Sequence, residues 1–477
     1  MRARLLTAAQ AVAGAVVLTR LARGRHRLPP LRATPEDGSP LRAALEDGGP
    51  LRATPEDRAR ASAGGGGRIS VVVPARDEAA RIGPCLRAAL KDPAVAEVVV
   101  VDDGSTDDTA AVAAALGATV VTGEPLPPGW VGKQWALRQG VAAARGDIVV
   151  TLDADTRPEP GLFTALARAL NGHPGNGDDH LHGHHDHDHG HGHDHDHDHG
   201  HGRGAGYGHD HGHDHGHGRG AGYDLVSAAP RFACDGALEQ ALHASMLATL
   251  VYRYGPVGPA VPPPPHRTLA NGQCLAFRRA AMIEIDGFAA VRGNMTDDVA
   301  LARFLAGRGW RVGFLDGGAL LEVDMHDSTA ELWREWGRSL PLRDVTGAGR
   351  LTADLAVVWL TAALPVLRLA AGRPTGLDAA LLGVRLLLTG ALRGSYSRPG
   401  FGLLLSPLLD PAAAARLTQA TLRPVRRWRG RTYHPAQPPP GPGTPPGPGT
   451  PFSAGTPLSP GKPPSATTGR PAQTGAR

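Results

Sequence analysis

The sequence predicts an α/β protein: a mostly parallel, twisted sheet in a single catalytic domain, with flanking transmembrane helices. Three observations predict it. Short β-branched runs alternate with helical patterns from Arg68 onward, as in βαβ units. Acidic residues follow those runs directly, and open parallel sheets bind ligands beyond the carboxyl ends of their strands. Uncharged apolar runs lie on both sides of this region, at 5–19 and 355–367.

Residues 5–19 come first, with Arg2 and Arg4 before them and Arg20, Arg23, Arg25 and Arg27 after them. The run falls between a signal peptide's apolar region and a full membrane span. Without a small-residue cleavage site it reads as an uncleaved anchor, 1–25. The heavier arginine cluster on its C-terminal side keeps the rest of the chain cytoplasmic by the positive-inside rule. A decapeptide repeat follows from Pro30, Pro40 and Pro50 (PLRATPEDGS, PLRAALEDGG, PLRATPEDRA). Its period is too short to build a solenoid core, so 26–67 reads as a disordered linker.

The catalytic domain is expected over 68–345. Strands are predicted at 69–73, 98–101, 118–121 and 148–152. Helices are predicted through Leu90, at 109–116, 134–144 and 162–170. A low-complexity block at 172–223 interrupts this order and holds 18 of the chain's 23 histidines. Imidazole and carboxylate suit Zn²⁺ or Ni²⁺, so the block is either a tolerated loop insertion or an opportunistic metal buffer. Membrane segments are predicted over 346–410, with one span near 351–367. A hairpin partner at 377–392 would place Arg385 in mid-span, which is costly. Arg423, Arg426, Arg427, Arg429 and Arg431 then mark a cytoplasmic end. The remainder, 411–477, reads as a basic and then Pro/Gly-rich disordered tail.

Composition excludes several classes. The 64 glycines among 477 residues keep no three-residue period, which excludes collagen. Hydrophobic residues reach 41%, too many for full disorder. Three scattered cysteines form no disulfide framework. A net charge of +5 is too weak to imply nucleic acid as a partner.

Chemistry concentrates at the strand ends. Pro74, Arg76 and Glu78 follow the first strand, and Asp102 and Asp103 the second. Carboxylates at neighbouring strand ends can accept from a uracil edge and a ribose hydroxyl. They can also cap the next helix, although Ser105 or Thr106 could cap it instead and leave both aspartates free. Neither a GxGxxG nor a GxxxxGK[ST] phosphate loop is present. Asp153 and Asp155 follow the fourth strand, and such a pair can share Mg²⁺ or Mn²⁺ with a diphosphate.

ISVVVPARDE, VVVVDDGSTDDT and IVVTLDADT, in that order, resemble the nucleotide-sugar half of a family 2 glycosyltransferase of the GT-A fold. The likeness continues through LANGQCLAFRRAAMIEIDGF and NMTDDVALARFLAGRGWRV to WREWGRSL. PPGWVGKQWALRQG and the flanking apolar segments are similar to the membrane-associated bacterial branch, which includes diaponeurosporenoate and hopene-associated glycosyltransferases. The resemblance implies a sheet with a Rossmann-like nucleotide-sugar half and an acceptor half. It implies a UDP-sugar donor and a lipid-like acceptor at the cytoplasmic membrane face. Pro74, Arg76 and Glu78 would line the uridine pocket, with Asp103 on base or ribose and Asp153 and Asp155 as the metal motif. Asp298 matches the general base. Asp297 stands where the family usually has Glu, and both aspartates could merely cap the helix that follows.

Lys133 could approach the diphosphate or stay solvated. Gly272 and Gln273 are predicted to form a substrate-facing turn. Arg334, Trp336 and Arg338 either serve the acceptor and leaving-group side or belong to an amphipathic helix at the lipid interface. Cys274 reads as a small buried residue. Two other readings stay open: a nucleotidyltransferase of similar fold, and a non-catalytic metal-binding membrane protein.

Overall fold

Strand β1, Ile69–Ala75, sits inside a seven-stranded sheet because its valines are buried on both faces, the pattern of a parallel strand covered by helices above and below. The computed structural model describes residues 1–33, 67–172, 222–326 and 328–424 and two short strands, 427–428 and 431–432. The histidine tract from 173 to 221 and the tail beyond 432 lie outside the described residues, as does the repeat from 34 to 66.

The remaining sheet strands are β2 (Val95–Asp102), β3 (Thr119–Thr122), β4 (Ile148–Leu152), β6 (Leu225–Ala229), β8 (Cys274–Arg278) and β9 (Val312–Asp316). Their spatial order is β3-β2-β1-β4-β8-β6-β9. The first four run parallel, and β6 and β9 pair in parallel. Strand β8 lies antiparallel between β4 and β6. The sheet is therefore mostly parallel, as expected. A smaller sheet joins β5 (Thr156–Pro158), β10 (Leu321–Val323) and β7 (Arg231–Phe232).

Helices α1 (Arg2–Ala22), α2 (Ile82–Lys91), α3 (Thr109–Leu116), α4 (Gly132–Ala143) and α5 (Leu162–Asn171) account for the first half of the chain. One face of the sheet packs on α2 and α5 through Cys85, Leu86, Phe163 and Leu166. The other packs on α4 through Ala136, Leu137 and Val141. Gly140 lets α4 lie close to the sheet, since a Cβ there would run into the Val72 side chain.

The capping expectation for the second strand's loop needs correction. Ser105 and Thr106 do not cap α3. The Asp107 carboxylate accepts from the Thr109 N–H at its start, 3.0 Å, while the Ser105 hydroxyl accepts from the Asp77 N–H, 3.0 Å. Asp102 is not free either, because it accepts from the Ser105 N–H, 3.2 Å. These bonds clamp the loops after β1 and β2 together.

A helical layer joins α1 with α6 (Ala237–Tyr254), α9 (Ala348–Ala370) and α10 (Gly376–Leu392) through Val17, Tyr252, Val357 and Leu388; α7 and α8 belong to the site described below. Among the described residues two helices are long and apolar enough to cross a membrane, Arg4–Arg25 and Ala348–Ala370, each with mean hydropathy 1.6. Helix α9 carries a π turn at Trp359–Ala363, next to Pro365, whose ring removes a helical hydrogen bond.

The cost expected for Arg385 is offset by partners. Its side chain is buried and holds Asp410 at 2.8 and 3.0 Å and Ser406 at 3.2 Å. Asp410 opens a further helix, α11 (Asp410–Leu422), so the boundary expected at 411 falls inside a helix. The start of the expected linker is likewise tied down. Leu28 N–H donates to the Gly258 carbonyl and Leu31 N–H to that of Asp316, each 2.8 Å.

Candidate active site

The carboxyl ends of β1 and β4 and the turn before β8 converge on one cavity of about 830 Å³. Eleven of the predicted residues line it: Pro74, Glu78, Lys133, Asp153, Asp155, Gly272, Gln273, Asp297, Asp298, Trp336 and Arg338. Arg76, Asp103 and Arg334 do not. Arg334 points outward, its side chain 67% exposed beside Glu335, so it contributes nothing to the cavity.

Lys133 is the hub. It stands in the first turn of α4, which aims its side chain across the end of β4. The ammonium lies 2.6 Å from Asp153 Oδ1 and donates to the Gly272 carbonyl, 3.3 Å. Burial works against its charge, but Asp153, Asp297 and Asp298 outweigh burial and hold it above the ordinary lysine value. The solvated alternative for Lys133 is thereby removed.

The Asn271-Gly272-Gln273 turn is built by its own side chains. Asn271 Oδ1 accepts from the Gln273 N–H, 3.0 Å, and Asn271 Nδ2 donates to Gln273 Oε1, 2.7 Å. The Asp153 N–H donates to the Gln273 carbonyl, 3.1 Å, tying the turn to the end of β4. Gly272 is needed for space. A Cβ there would stand 3.1 Å from the Asp298 Cβ and 3.3 Å from the Lys133 ammonium.

Helix α7, Asp297–Gly307, begins at this turn. Asp298 Oδ2 accepts from the Gly272 N–H, 2.9 Å, and Oδ1 from the Val299 N–H, 2.8 Å. Burial raises the Asp298 carboxyl despite Lys133 and these two N–H donors. Asp297 is pushed up to about 6, first by burial, with Asp298 and Asp153 adding to it and Lys133 opposing. Asp298 thus caps its helix in part while also gripping the Gly272 turn. Thr296 is the N-cap residue but makes no side-chain cap bond.

Asp155 is held well above the ordinary carboxyl value. Burial, then Asp153 and Glu78, push it up to about 7 against the pull of Lys133. Its Oδ1 is a buried acceptor without a partner, and a buried acceptor in a cluster of acids is a fitting place for a cation. Among the described residues no cluster of three or more metal-ligating side chains forms. Asp155 and Asp153 would therefore supply only part of a coordination shell. That fits Mg²⁺ or Mn²⁺, which use one or two carboxylates and take the rest from phosphate and water.

At the ends of β1 and β2, Arg76 donates to the Asp103 carbonyl, 3.1 Å. Asp77 adopts φ 54° and its Oδ1 accepts from the Thr106 N–H, 2.7 Å. On the opposite side, helix α8 (Thr329–Ser339) starts from a Ser328 cap on Glu331. It turns Trp336 inward against His243, ring centroids 4.8 Å apart. Arg338 pairs with Glu335, 2.8 Å. Cys274 is fully buried and its thiol is raised by burial, which agrees with a structural role. Glu331, Glu335 and His326 also line the cavity and were missed by sequence reasoning, because no motif marks them.

An acid-rich cleft at the strand ends of a mixed α/β sheet, with a lysine at its centre, lies where such sheets bind their ligands. Residues 70–207 match the family model described as glycosyl transferase family 2, and residues 219–437 match that described as glycosyl transferase family 21. Glycosyl transferase models thus match nearly all of residues 70–437. Among curated relatives, glucosyl-3-phosphoglycerate synthase of Mycolicibacterium paratuberculosis is 47% identical over 105 residues, 21% of this chain and 32% of that protein. The 4,4'-diaponeurosporenoate glycosyltransferase of Staphylococcus aureus is 41% identical over 88 residues, 18% of this chain and 24% of that protein. The chain thus spans between a quarter and a third of the length of these relatives. A solved structure of glucosyl-3-phosphoglycerate synthase from Mycobacterium tuberculosis with Mg²⁺ and UDP is 22% identical, with a TM-score of 0.34, over 61% of this chain and 83% of that one. A further structure of that enzyme, with Mn²⁺ and UDP-glucose, is 22% identical with a TM-score of 0.30, over 69% of this chain and 86% of that one.

Proposed function

We propose that the protein is an inverting hexosyltransferase that moves a hexose from a UDP-sugar to a lipophilic acceptor at the cytoplasmic membrane face. The observation that carries this reading is the cavity's extent. It runs from Asp153, Asp155 and Asp298 to apolar residues of the helical layer, Leu247, Leu250, Leu388 and Leu392. Leu387 on α10 and, in the segment that follows it, Phe401, Leu404 and Leu408 are each more than half exposed. Such a belt is suited to lipid. The name of the S. aureus relative, 4,4'-diaponeurosporenoate glycosyltransferase, supports the same acceptor class.

The residues divide the work. Pro74 and Glu78 line the uridine pocket, with Arg76 behind them, and Asp103 at its edge takes the base or ribose. Asp153 orients the donor, and its carboxylate is held by Lys133, whose ammonium faces the diphosphate. A divalent cation on Asp155 would neutralise the leaving diphosphate. Asp298 accepts the acceptor's proton as its oxygen attacks the anomeric carbon from the face opposite the diphosphate. One displacement with one base inverts the configuration. If the acceptor is a carboxylate it arrives ionised near neutral pH, and the base then contributes less.

Two other acceptor and function classes are separated by one experiment. Purified protein in lipid vesicles is given UDP-glucose, Mn²⁺ and either lipid extract or 3-phosphoglycerate, and products are identified by mass spectrometry. The reading expects a glycosylated lipid. Transfer to phosphoglycerate alone would assign an aqueous acceptor, as the name of the mycobacterial relative describes for that protein. Absence of any UDP release would leave only a binding role.

A further inference from the structure

Asp103, at the end of β2, carries a side chain only 7% exposed, and a guanidinium from the far end of the chain is bound to it. Arg431 Nη1 lies 2.6 Å from Asp103 Oδ2, and Arg431 Nη2 is 3.4 Å from the Asp103 carbonyl. Arg431 belongs to β12 (Arg431–Thr432), which pairs with β11 (Arg427–Trp428) beyond the last helix of the apolar layer. Arg76 reaches the same carboxylate only at 3.9 Å, too far for a hydrogen bond. The strong charge-assisted bond on Asp103 is thus made by Arg431, 328 positions away in sequence.

We propose that Arg431 is a positioning residue for the nucleoside end of the donor site and acts through Asp103. This rests on the reading of Asp103 as the carboxylate that accepts from the donor's base or ribose. With Oδ2 held by Arg431, the carboxylate is fixed in one rotamer. Oδ1 is then the atom offered to the nucleoside. A carboxylate ordered before the donor arrives loses less freedom on binding. The arm that follows the apolar helices is therefore part of the donor site, and the family 21 match runs through it to residue 437.

The test uses the full chain in detergent with Mn²⁺, measuring UDP affinity by calorimetry and kcat and KM for UDP-glucose. Arg431→Ala should weaken UDP and raise KM about tenfold, as expected for a lost hydrogen bond to a charged group, with kcat unchanged. Arg431→Lys should recover part of the affinity, since an ammonium can replace one of the two contacts. Asp103→Ala is the control for the underlying reading. If that variant binds UDP like the parent, the assignment of Asp103 is wrong and the proposal goes with it. If Asp103→Ala weakens UDP and Arg431→Ala does not, only the inference about Arg431 fails. Tighter binding in Arg431→Ala would overturn the proposal in favour of a blocking arm. A fall in kcat at unchanged KM would also overturn it.

Discussion

The Lys133 ammonium contacts both oxygens of Asp153, 2.6 and 2.9 Å away, and donates to the carbonyl of Gly272, whose N–H is held by Asp298. One cation thereby links the donor-side carboxylate to the turn that the candidate base grips. It balances acids that would otherwise repel one another.

Lys133→Met should therefore act on both halves of the site. Loss of one preorganised cationic donor at a developing charge typically costs about 10²–10³-fold in turnover, and a loss of that order in kcat/KM is expected here. The pH profile adds a sign. Lys133 pulls Asp155, Asp297 and Asp298 downward, so without it each acid ionises at higher pH. The acidic limb of kcat/KM against pH should move to higher pH in the variant. An unmoved limb would show that none of these acids controls it.

Asp155 gives a second pH-dependent expectation. Its carboxyl is raised from 3.8 to about 7 in the fold. A raised acid lends stability below its unfolded value and loses it as pH climbs to the folded one. Cation-free protein should thus lose stability between pH 3.8 and about 7, at least through this group. Mn²⁺ needs the ionised carboxylate, so its binding should release a proton below about pH 7 and little above. Calorimetry in two buffers of different ionisation enthalpy reads that release, and Asp155→Ala should abolish it. Equal release at pH 6 and 8 would remove Asp155 from the cation site.

The helical layer offers a stability test. Arg385 and Asp410 pair with both side chains almost wholly buried. Removing one partner of such a pair typically costs about 3–5 kcal/mol, so Arg385→Leu should unfold at a markedly lower temperature. Arg385→Leu combined with Asp410→Leu should recover much of that loss, because no uncompensated charge then remains. A double variant as unstable as the single one would mean that the network with Ser245 and Ser406, and not the pair, sets the cost.

Membrane attachment is checked by extraction. If Arg4–Arg25 and Ala348–Ala370 are integral segments, membranes washed in high salt should retain the protein. A reporter fused after residue 431 should behave as cytoplasmic by the arginine bias. Release by salt alone would reduce both helices to packing elements of the fold.

These features differ in how far they could be read from the chain. The strands after which Glu78, Asp103 and Asp153 stand were legible because each is a local apolar run with its chemistry attached. The meeting of Lys133, Gly272 and Asp298 was only partly so. Each sits in a recognisable motif, but their contact depends on β8 entering the sheet antiparallel beside β4, which no local pattern specifies. Arg385 looked like a defect in a span because its partner Asp410 lies in another helix. Arg431 looked like one charge in a basic run, since nothing near it in sequence points to Asp103. The capping of α3 was misassigned for a smaller reason. Ser105 and Thr106 are competent caps by residue type, but Asp77 takes both for the neighbouring loop, and the N-cap residue of α3, Asp108, makes no side-chain cap bond.

Asp298 and Asp297 compete for the role of base, and their environments differ in a way kinetics can resolve. Both oxygens of Asp298 accept main-chain N–H groups, from Gly272 and Val299. Such donors favour the ionised form and fix its direction. Asp297 is pushed up to about 6, chiefly by burial. If Asp298 is the base, Asp298→Asn should cut kcat by about 10²–10⁴-fold for a hydroxyl acceptor, with UDP affinity little changed because the nucleoside contacts lie on β1 and β2. Asp297→Asn should then cost far less. If Asp298 instead serves to hold the Gly272 turn, its amide should still accept one of the two N–H bonds. The variant would then lose donor affinity through Lys133 and Asp153 together with turnover. A carboxylate acceptor shrinks the Asp298→Asn loss, since no proton has to be removed. Single-turnover rates for both variants, set beside UDP affinities from calorimetry, separate these cases. A larger loss in Asp297→Asn than in Asp298→Asn would transfer the base to Asp297.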